Sequence, residues 1–468
     1  MNKNQVNNQE LSSEIIQILN NLKTSPAFAM SRGGRELFHT NFLAFILEQT
    51  STESNKYEYG QLVKKSLLTQ IFIKNIPSNV KVFREKLNLD LIIIPIDDFP
   101  ALSEEFNAEN LSTNPTEKQL KIVVIEAKLK SIPTIQQLNN YSKKLEKIIN
   151  IDLYESDDNS KLKIDIAKST LTIKKSNSTL EPNEEIQYKE IIYDCFLLAP
   201  QAFSLEILTQ KNKSKFKWKN LNWNELFEKL KSVQSNSIDD TSMKLSIYIK
   251  DYIDSTNDVL NLISLVIEFL EAFEKEESNM PLSNLCQFAM HNSFKRLKLH
   301  DLVGKVAYEF LAKKIHKSLH LNGEISRYKA FLSNSIPGLE IEFFHLGLDD
   351  KQEIGVGVQL QGSDYRHFIK RNFSDIKESL TDVVEKYRYW LSDTDNKGNA
   401  RNFGKGKDKM EYKKFNIDRF LYLERSINMN FKELLKAFEN SLKGASQISE
   451  KEDFKNQLKN DTEKETLN

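Results

Sequence analysis

Two strand-like runs, each holding a carboxylate, constrain this chain more than any other feature. Leu87–Ile94 is rich in strand-forming residues and contains Asp90 among apolar neighbours. Lys121–Ile125 is a second such run, and it continues into the sequence Glu-Ala-Lys. Because side chains alternate faces along a strand, Glu126 and Lys128 are expected on the same face of a sheet. If the two strands are neighbours, as we expect, two carboxylates and one ammonium group converge there.

This combination of charges predicts a particular chemistry. An unpaired carboxylate inside an apolar strand is costly, which favours Asp90 as a metal ligand. Hydrolysis of a phosphodiester needs hard oxygen ligands for Mg²⁺ and positive charge near the reacting phosphate. Two alternatives stay open from the residues alone. Glu126 and Lys128 could form a solvated salt bridge at a strand end, and Asp90 could be a buried, hydrogen-bonded aspartate.

Two further elements accompany these runs in order. The upstream segment Glu36–Ala44 reads Glu-Leu-Phe-His-Thr-Asn-Phe-Leu-Ala, and the downstream segment Gln137–Tyr141 reads Gln-Leu-Asn-Asn-Tyr. With the two strands, this ordered set resembles the PD-(D/E)XK nuclease superfamily, in its bacterial branch with Glu-x-Lys followed by Gln-Leu-x-x-Tyr. The resemblance covers about residues 30–200. It departs from the family pattern at Leu89, which stands where a proline precedes the acidic residue Asp90.

The resemblance implies a fold and an activity. The expected fold class is α/β, with a restriction-endonuclease-like mixed-sheet core flanked by helices and a C-terminal α+β extension. The implied activity is hydrolysis of nucleic-acid phosphodiester bonds, with DNA favoured, using Mg²⁺ or Mn²⁺. Two alternatives are kept. One is a catalytically idle nuclease fold that binds DNA, and the other is a partner-binding scaffold in a defence or mobile-element setting. Whether the chain forms a homo-oligomer or binds another protein stays open.

The resemblance also implies roles for single residues. The implied metal ligands are Glu36, Asp90, Glu126 and the Ala127 carbonyl, and the implied catalytic residues are Asp90, Glu126, Lys128, Gln137 and Tyr141. Lys128 would position or polarise the attacking water and stabilise the developing phosphate charge. Glu36 could instead pair with His39 or Arg35, and Gln137 and Tyr141 could be plain polar residues that face water.

Nucleic-acid contacts must come from local clusters. The chain holds 66 basic and 66 acidic residues, so its formal net charge is zero and gives no global basic signature. The candidate phosphate contacts are Arg84, Lys86 and Lys144 in the core, and Arg366, Lys370 and Arg371 in a C-terminal basic and aromatic run. By parity we expect Arg84 and Lys86 on the same strand face as Asp90. A packed amphipathic strand explains residues 365–371 as well, and Arg84 and Lys86 could simply face water.

At 468 residues the chain is long for one core, so more than one domain is expected. The predicted divisions are a nuclease-like core over 1–200 with insertions at about 97–118 and 151–188, a helical region over 201–280, an α+β region over 281–443, and a disordered tail over 444–468. The predicted core elements are a helix at 35–48, strands at 81–95 and 120–128, a helix at 134–149, a hairpin near 161–174 and a strand at 191–198. Strand, helix and strand in this order predict a parallel crossover.

The remaining regions and the cellular setting follow from simpler patterns. Residues 202–280 predict helices with Trp218 and Trp223 near a turn, and 325–371 predict four strands, followed by helices at 374–391 and 429–443. No apolar run approaches the roughly 20 residues that a membrane helix needs, and the N-terminus lacks a signal-peptide core. We therefore expect a cytoplasmic protein without a membrane partner.

Overall fold

The computed structural model describes residues 11–34, 37–48, 58–72, 76–78, 80–84, 89–95, 116–128, 135–147, 150–154, 161–165, 170–174, 184–200, 216–233, 240–274, 280–321, 326–333, 336–349, 352–362, 364–371, 413–415, 420–426 and 429–449. The helices within these residues are α1 (Ser13–Thr24), α2 (Pro26–Gly34), α3 (Leu37–Leu47), α4 (Glu58–Ile71), α5 (Ile135–Lys147), α6 (Trp223–Lys231), α7 (Asp240–Glu274), α8 (Leu282–Ala289), α9 (Asn292–Arg296), α10 (His300–Ser318) and α11 (Phe431–Ser449). The strands are β1 (Val80–Arg84), β2 (Leu91–Pro95), β3 (Thr116–Ala127), β4 (Asn150–Tyr154), β5 (Lys161–Asp165), β6 (Thr170–Lys174), β7 (Glu184–Ala199), β8 (Trp218–Asn222), β9 (Arg327–Ser333), β10 (Ile336–Asp349), β11 (Gln352–Gln361), β12 (Asp364–Arg371), β13 (Lys413–Phe415) and β14 (Phe420–Ser426).

The chain divides into two compact units. The first unit is Asn20–Leu260, and the second combines Met1–Leu19 with Asn261–Asn468. The division falls inside α7, within the region 201–280 that we predicted to be helical. Among the described residues, no helix is both long and apolar enough to cross a membrane.

The first unit contains a mixed sheet. Among the described residues it has eight strands in the order β1-β2-β3-β7-β6-β5-β4, with β8 also pairing with β7. The pairs β1–β2 and β2–β3 are antiparallel, whereas β3–β7 and β7–β8 are parallel. The parallel crossover from β3 through α5 to β7 is confirmed. The mixed α/β architecture with flanking helices is likewise the one we predicted for this part of the chain.

Three details of the first unit differ from the sequence predictions. The run predicted as one strand at 81–95 is the antiparallel pair β1 and β2, because the chain reverses between Arg84 and Leu91. The hairpin near 161–174 is confirmed as β5 and β6, but these strands and β4 extend the sheet, although we predicted 151–188 as an irregular insertion. Trp218 lies in β8, within a segment predicted as helical, because pairing with β7 overrides the local pattern.

Helix α5 covers one face of the central strands. A core cluster there joins the even-numbered apolar residues of β3 to α5 and to neighbouring strands. Its members include Phe83, Ile92, Ile122, Val124, Leu138, Leu145, Cys195, Leu197 and Trp218. The β-branched run of β3 is buried on both faces, which is typical of a central parallel strand. Because Glu126 and Lys128 are also even-numbered, they are directed toward the face that α5 covers.

The second unit contains an antiparallel sheet in the order β13-β14-β12-β11-β10-β9 among the described residues. The four strands predicted between 325 and 371 are confirmed as β9 to β12, and helices α8 to α10 precede them in the chain. The helix predicted at 374–391 lies outside the described residues. Helix α11 continues past residue 443, where we predicted a disordered tail to begin, because buried Leu434, Phe438 and Ala445 extend one apolar stripe.

Candidate active site

The predicted acidic residues meet at one end of the central strands. Asp90 lies in the bend directly before β2, and Leu91 pairs with Ile125, so Asp90 stands beside Glu126. Glu126 is close to the end of β3, and Lys128 follows that strand. The backbone N–H of Lys128 donates to the Leu198 carbonyl at 2.7 Å, which continues the β3–β7 ladder by one residue. The strand alternation therefore persists, and Lys128 stays on the face of Glu126.

One ammonium group contacts both carboxylates. Lys128 Nζ lies 2.7 Å from Glu126 Oε1 and 3.7 Å from Asp90 Oδ2. The backbone N–H of Ala127 donates to Asp90 Oδ2 at 2.8 Å, which fixes that carboxylate against β3. Both carboxylates contact the same nitrogen, so these oxygen atoms lie less than about 8 Å apart, which we take as the upper limit for two ligands of one metal ion. The predicted convergence of the three side chains is confirmed, while their roles stay predictions.

Helix α5 adds two polar groups to this cluster. Gln137 Nε2 donates to Tyr141 Oη at 2.8 Å and lies 3.5 Å from Glu126 Oε1. The two side chains are four residues apart, so they share one face of the helix. Both are partly buried, and their polar ends are directed toward Glu126.

Burial controls the protonation of the site. The Glu126 side chain is 1% exposed, and this burial raises the pKa of its carboxyl from 4.5 to about 7. The neighbouring Lys128 ammonium lowers that pKa but does not overcome the loss of solvation, and the Asp90 charge raises the pKa further. Burial also raises the pKa of Tyr141, whose phenol therefore stays protonated near neutral pH and can donate a hydrogen bond.

The oxygen atoms present fit a hard divalent cation. Glu126 Oε2 is buried, and within the described residues it accepts no hydrogen bond, which is costly for a carboxylate oxygen. Together with Asp90 it supplies the oxygen ligands that Mg²⁺ and Mn²⁺ prefer. The described residues contain no group of three or more His, Cys, Asp or Glu side chains that could hold a metal. The third predicted carboxylate, Glu36, lies outside the described residues.

The residues predicted to contact phosphate in the first unit do not form one cluster among the described residues. Arg84 follows Phe83, which belongs to the α5 face, and its Nη1 donates to Asn41 Oδ1 on α3 at 3.1 Å. Arg84 therefore lies on the opposite face from Asp90 and Glu126, and our parity prediction was wrong for Arg84 because the chain reverses between β1 and β2. Lys86 is outside the described residues. Lys144 is exposed, with Nζ 5.6 Å from the centre of the Tyr141 ring.

The C-terminal residues predicted to contact phosphate lie in strand β12 of the second sheet. Lys370 is 8% exposed and forms ion pairs with the buried carboxylates of Glu340 and Glu342. Arg366 is partly buried and donates to Gln359 Oε1 at 2.8 Å. The side chain of Arg371 lies outside the described residues. The prediction that Lys370 contacts phosphate is therefore wrong, because its ammonium is buried between two glutamates, as the amphipathic-strand alternative implies.

The sequence reasoning missed Ser142 and Trp218. Trp218 Nε1 donates to Ser142 Oγ at 3.0 Å, which links β8 to the helix that carries Gln137 and Tyr141. Ser142 alone looks like an ordinary helix residue, and Trp218 lies 76 positions along the chain. The contact follows from the pairing of β8 with β7, and no local pattern in the sequence signals that pairing.

Comparison with known proteins identifies no relative. The chain matches no family model, and searches of curated proteins and of solved structures found no match. The functional assignment therefore depends on the motif order and on the geometry at Glu126.

We predict that Lys370→Ala destabilises the second unit by about 3–5 kcal/mol, because it removes the buried cation that Glu340 and Glu342 share. The matched control is Lys329→Ala. Lys329 Nζ is 3.4 Å from the same Glu340, but its side chain is 49% exposed. We expect the control to lose less than about 1 kcal/mol. Chemical denaturation measures both values. Equal losses would contradict the structural role of Lys370.

We also predict a pH dependence of stability that originates at Glu126. Its pKa is raised from 4.5 to about 7 in the folded chain, so ionising it opposes folding. The penalty is absent below about pH 4.5, grows as pH rises and is complete above about pH 7. Relative to Glu126→Gln, the parent should lose on the order of 1–3 kcal/mol of unfolding free energy between about pH 5 and pH 8. A pH-independent difference between the two proteins would refute the raised pKa.

Proposed function

We propose that this chain is a metal-dependent nuclease that hydrolyses nucleic-acid phosphodiester bonds, with DNA as the favoured substrate, on a restriction-endonuclease-like core. The observation that carries the proposal is the contact of Lys128 with both Asp90 and Glu126 at the end of β2 and β3. This is the arrangement that the resemblance to PD-(D/E)XK nucleases requires. DNA is favoured on that resemblance.

The metal-binding part of the proposal assigns oxygen atoms of this chain. Asp90 and Glu126 would hold Mg²⁺ or Mn²⁺, with the Ala127 carbonyl and Glu36 as further ligands. When bound, the metal would supply Lewis-acid stabilisation of the phosphate and a lowered pKa of water. Gln137 and Tyr141 lie on the α5 side of Glu126, where the Gln137 amide, held by Tyr141, would orient the Glu126 carboxylate.

Lys128 has a separate task in the proposed reaction. It is not a metal ligand, because a protonated amine has no lone pair to offer. Its ammonium, 7% exposed, would donate hydrogen bonds to the attacking water or to the phosphate oxygen where charge develops. In a buried site such a donor is stronger than in water, because the local dielectric constant is low.

The runner-up function is a catalytically idle nuclease fold that binds nucleic acid or a protein partner. One observation favours it: the ion pair with Lys128 gives the buried Glu126 carboxylate a partner of opposite charge without a metal. Under this alternative the chain would bind a partner without turnover. Binding of DNA in Ca²⁺ without cleavage in Mg²⁺ or Mn²⁺ would favour the alternative over the nuclease.

We predict that the purified chain cleaves DNA in Mg²⁺ or Mn²⁺ and that EDTA stops the reaction. Plasmid and oligonucleotide substrates, both DNA and RNA, would show the substrate class and whether ends or internal bonds are cut. Lys128→Ala should lower turnover by about 10²–10³-fold, because one donor to the transition state is lost, while Mn²⁺ binding persists.

The matched control for this experiment is Lys143→Ala. Lys143 is an exposed lysine on α5, so its loss removes the same charge without removing the proposed donor. We expect the control to cleave at a rate close to that of the parent. If Lys128→Ala cleaves as fast as Lys143→Ala, Lys128 is not catalytic.

A further inference from the structure

Trp218 contacts two consecutive residues of helix α5. It lies on β8, pairs with Cys195 of β7 and is 7% exposed on the core face that α5 covers. Its indole Nε1 donates to Ser142 Oγ at 3.0 Å. Its ring centroid lies 6.3 Å from that of Tyr141, with the two planes inclined by 50°. One side chain therefore holds α5 through a hydrogen bond and through a ring contact.

The neighbouring residue Tyr141 carries this contact to the candidate active site. Its hydroxyl accepts the hydrogen bond from Gln137 Nε2 at 2.8 Å and lies close enough to the Glu126 carboxylate to lower the pKa of that carboxyl. Gln137 Nε2 also lies 3.5 Å from Glu126 Oε1. The contacts thus run from Trp218 through α5 to the carboxylate that we propose as a metal ligand.

The geometry of a helix explains why two anchor points matter. Consecutive residues project about 100° apart around the axis, so holding both Tyr141 and Ser142 fixes the rotation of α5. Ser142 is fully buried, and without the indole its hydroxyl would lose a buried partner. Misplacing a group by about 1 Å near the reacting atoms can lower a rate by roughly 10²-fold. Glu126 depends on α5 for its hydrogen-bonding partners, so it is sensitive to this rotation.

We propose that Trp218 is a positioning residue for the metal-ligating carboxylate of Glu126, acting through Ser142 and Tyr141. This inference rests on the proposed nuclease function, and it adds a residue that lies outside the motif set 36–141. Trp218 does not touch the metal, the water or the phosphate. It sets the orientation of the helix whose polar face holds Glu126.

The experiment compares chemically matched tryptophan substitutions in the full-length chain. Trp218→Phe removes the indole N–H and keeps an aromatic ring. The control is Trp223→Phe, because Trp223 is 1% exposed and its Nε1 has no hydrogen-bond partner among the described residues. Both variants lose the same atoms from a buried site, but only Trp218→Phe breaks a hydrogen bond to α5. Ser142→Ala removes the other partner of that bond with a smaller change in volume, so it tests the proposal even where Trp218→Phe does not fold.

The primary readout is Mn²⁺ affinity by calorimetry, which does not depend on turnover. Removing partners that orient a metal ligand typically costs about 10–100-fold in affinity, and we expect a loss in this range for Trp218→Phe and for Ser142→Ala. The double variant should bind Mn²⁺ no more weakly than the single variant that has the lower affinity, because both substitutions break the same hydrogen bond. The control should retain the parent affinity. In cleavage assays at saturating Mn²⁺, kcat should fall while KM for DNA stays near the parent value.

Two results would overturn the inference, and they differ in what they imply for the proposed function. If the parent binds Mn²⁺ and cleaves DNA while Trp218→Phe and Ser142→Ala bind Mn²⁺ as tightly as Trp223→Phe, the hydrogen bond is structural only and the nuclease proposal stands. If the parent itself neither binds Mn²⁺ nor cleaves, the proposed function fails and the inference fails with it.

Discussion

The buried carboxylate of Glu126 is the constraint on which the candidate site depends. The pairing of β3 with β7 and the hydrogen bond from Lys128 to Leu198 direct both Glu126 and Lys128 under α5. Burial makes ionisation of Glu126 unfavourable, and the Lys128 ammonium offsets only part of that cost. A bound divalent cation would reduce this free-energy cost of ionising Glu126. A carboxylate kept at this cost without a function would be hard to explain from packing alone.

The same chain contains a second buried cluster of carboxylates around a lysine. Its surroundings differ from those of the candidate active site. In the second unit, Lys370 pairs with Glu340 and Glu342 within interior strands of an antiparallel sheet. Asp90, in the first unit, lies at a strand end and its side chain is 22% exposed, so one member of that cluster reaches solvent. A substrate phosphate needs such an opening. The opening at Asp90 therefore supports placing the proposed catalysis at the cluster in the first unit, whereas the cluster around Lys370 has a structural role.

Much of this arrangement was predictable from local pattern. The β-branched run before Glu126, the parity of Glu126 and Lys128, and the spacing of Gln137 and Tyr141 are properties of single strands and helices. Where the prediction failed, tertiary pairing decided the outcome. Arg84 lies on the opposite face of the sheet from the predicted one because the chain reverses before Leu91. Trp218 lies in a strand because β8 pairs with β7. The burial of Lys370 could not be predicted from local pattern either, because its partners lie on another strand, about 30 residues earlier.

The central claim is that Asp90 and Glu126 share one divalent cation, and a crystal soaked in Mn²⁺ tests it most directly. Mn²⁺ scatters anomalously, so its position can be located without assuming any ligand. The account predicts one anomalous peak at about 2 Å from carboxylate oxygens of both Asp90 and Glu126, with Lys128 outside the coordination sphere. An unchanged ion pair between Lys128 and Glu126, with no peak between the two carboxylates, would contradict it.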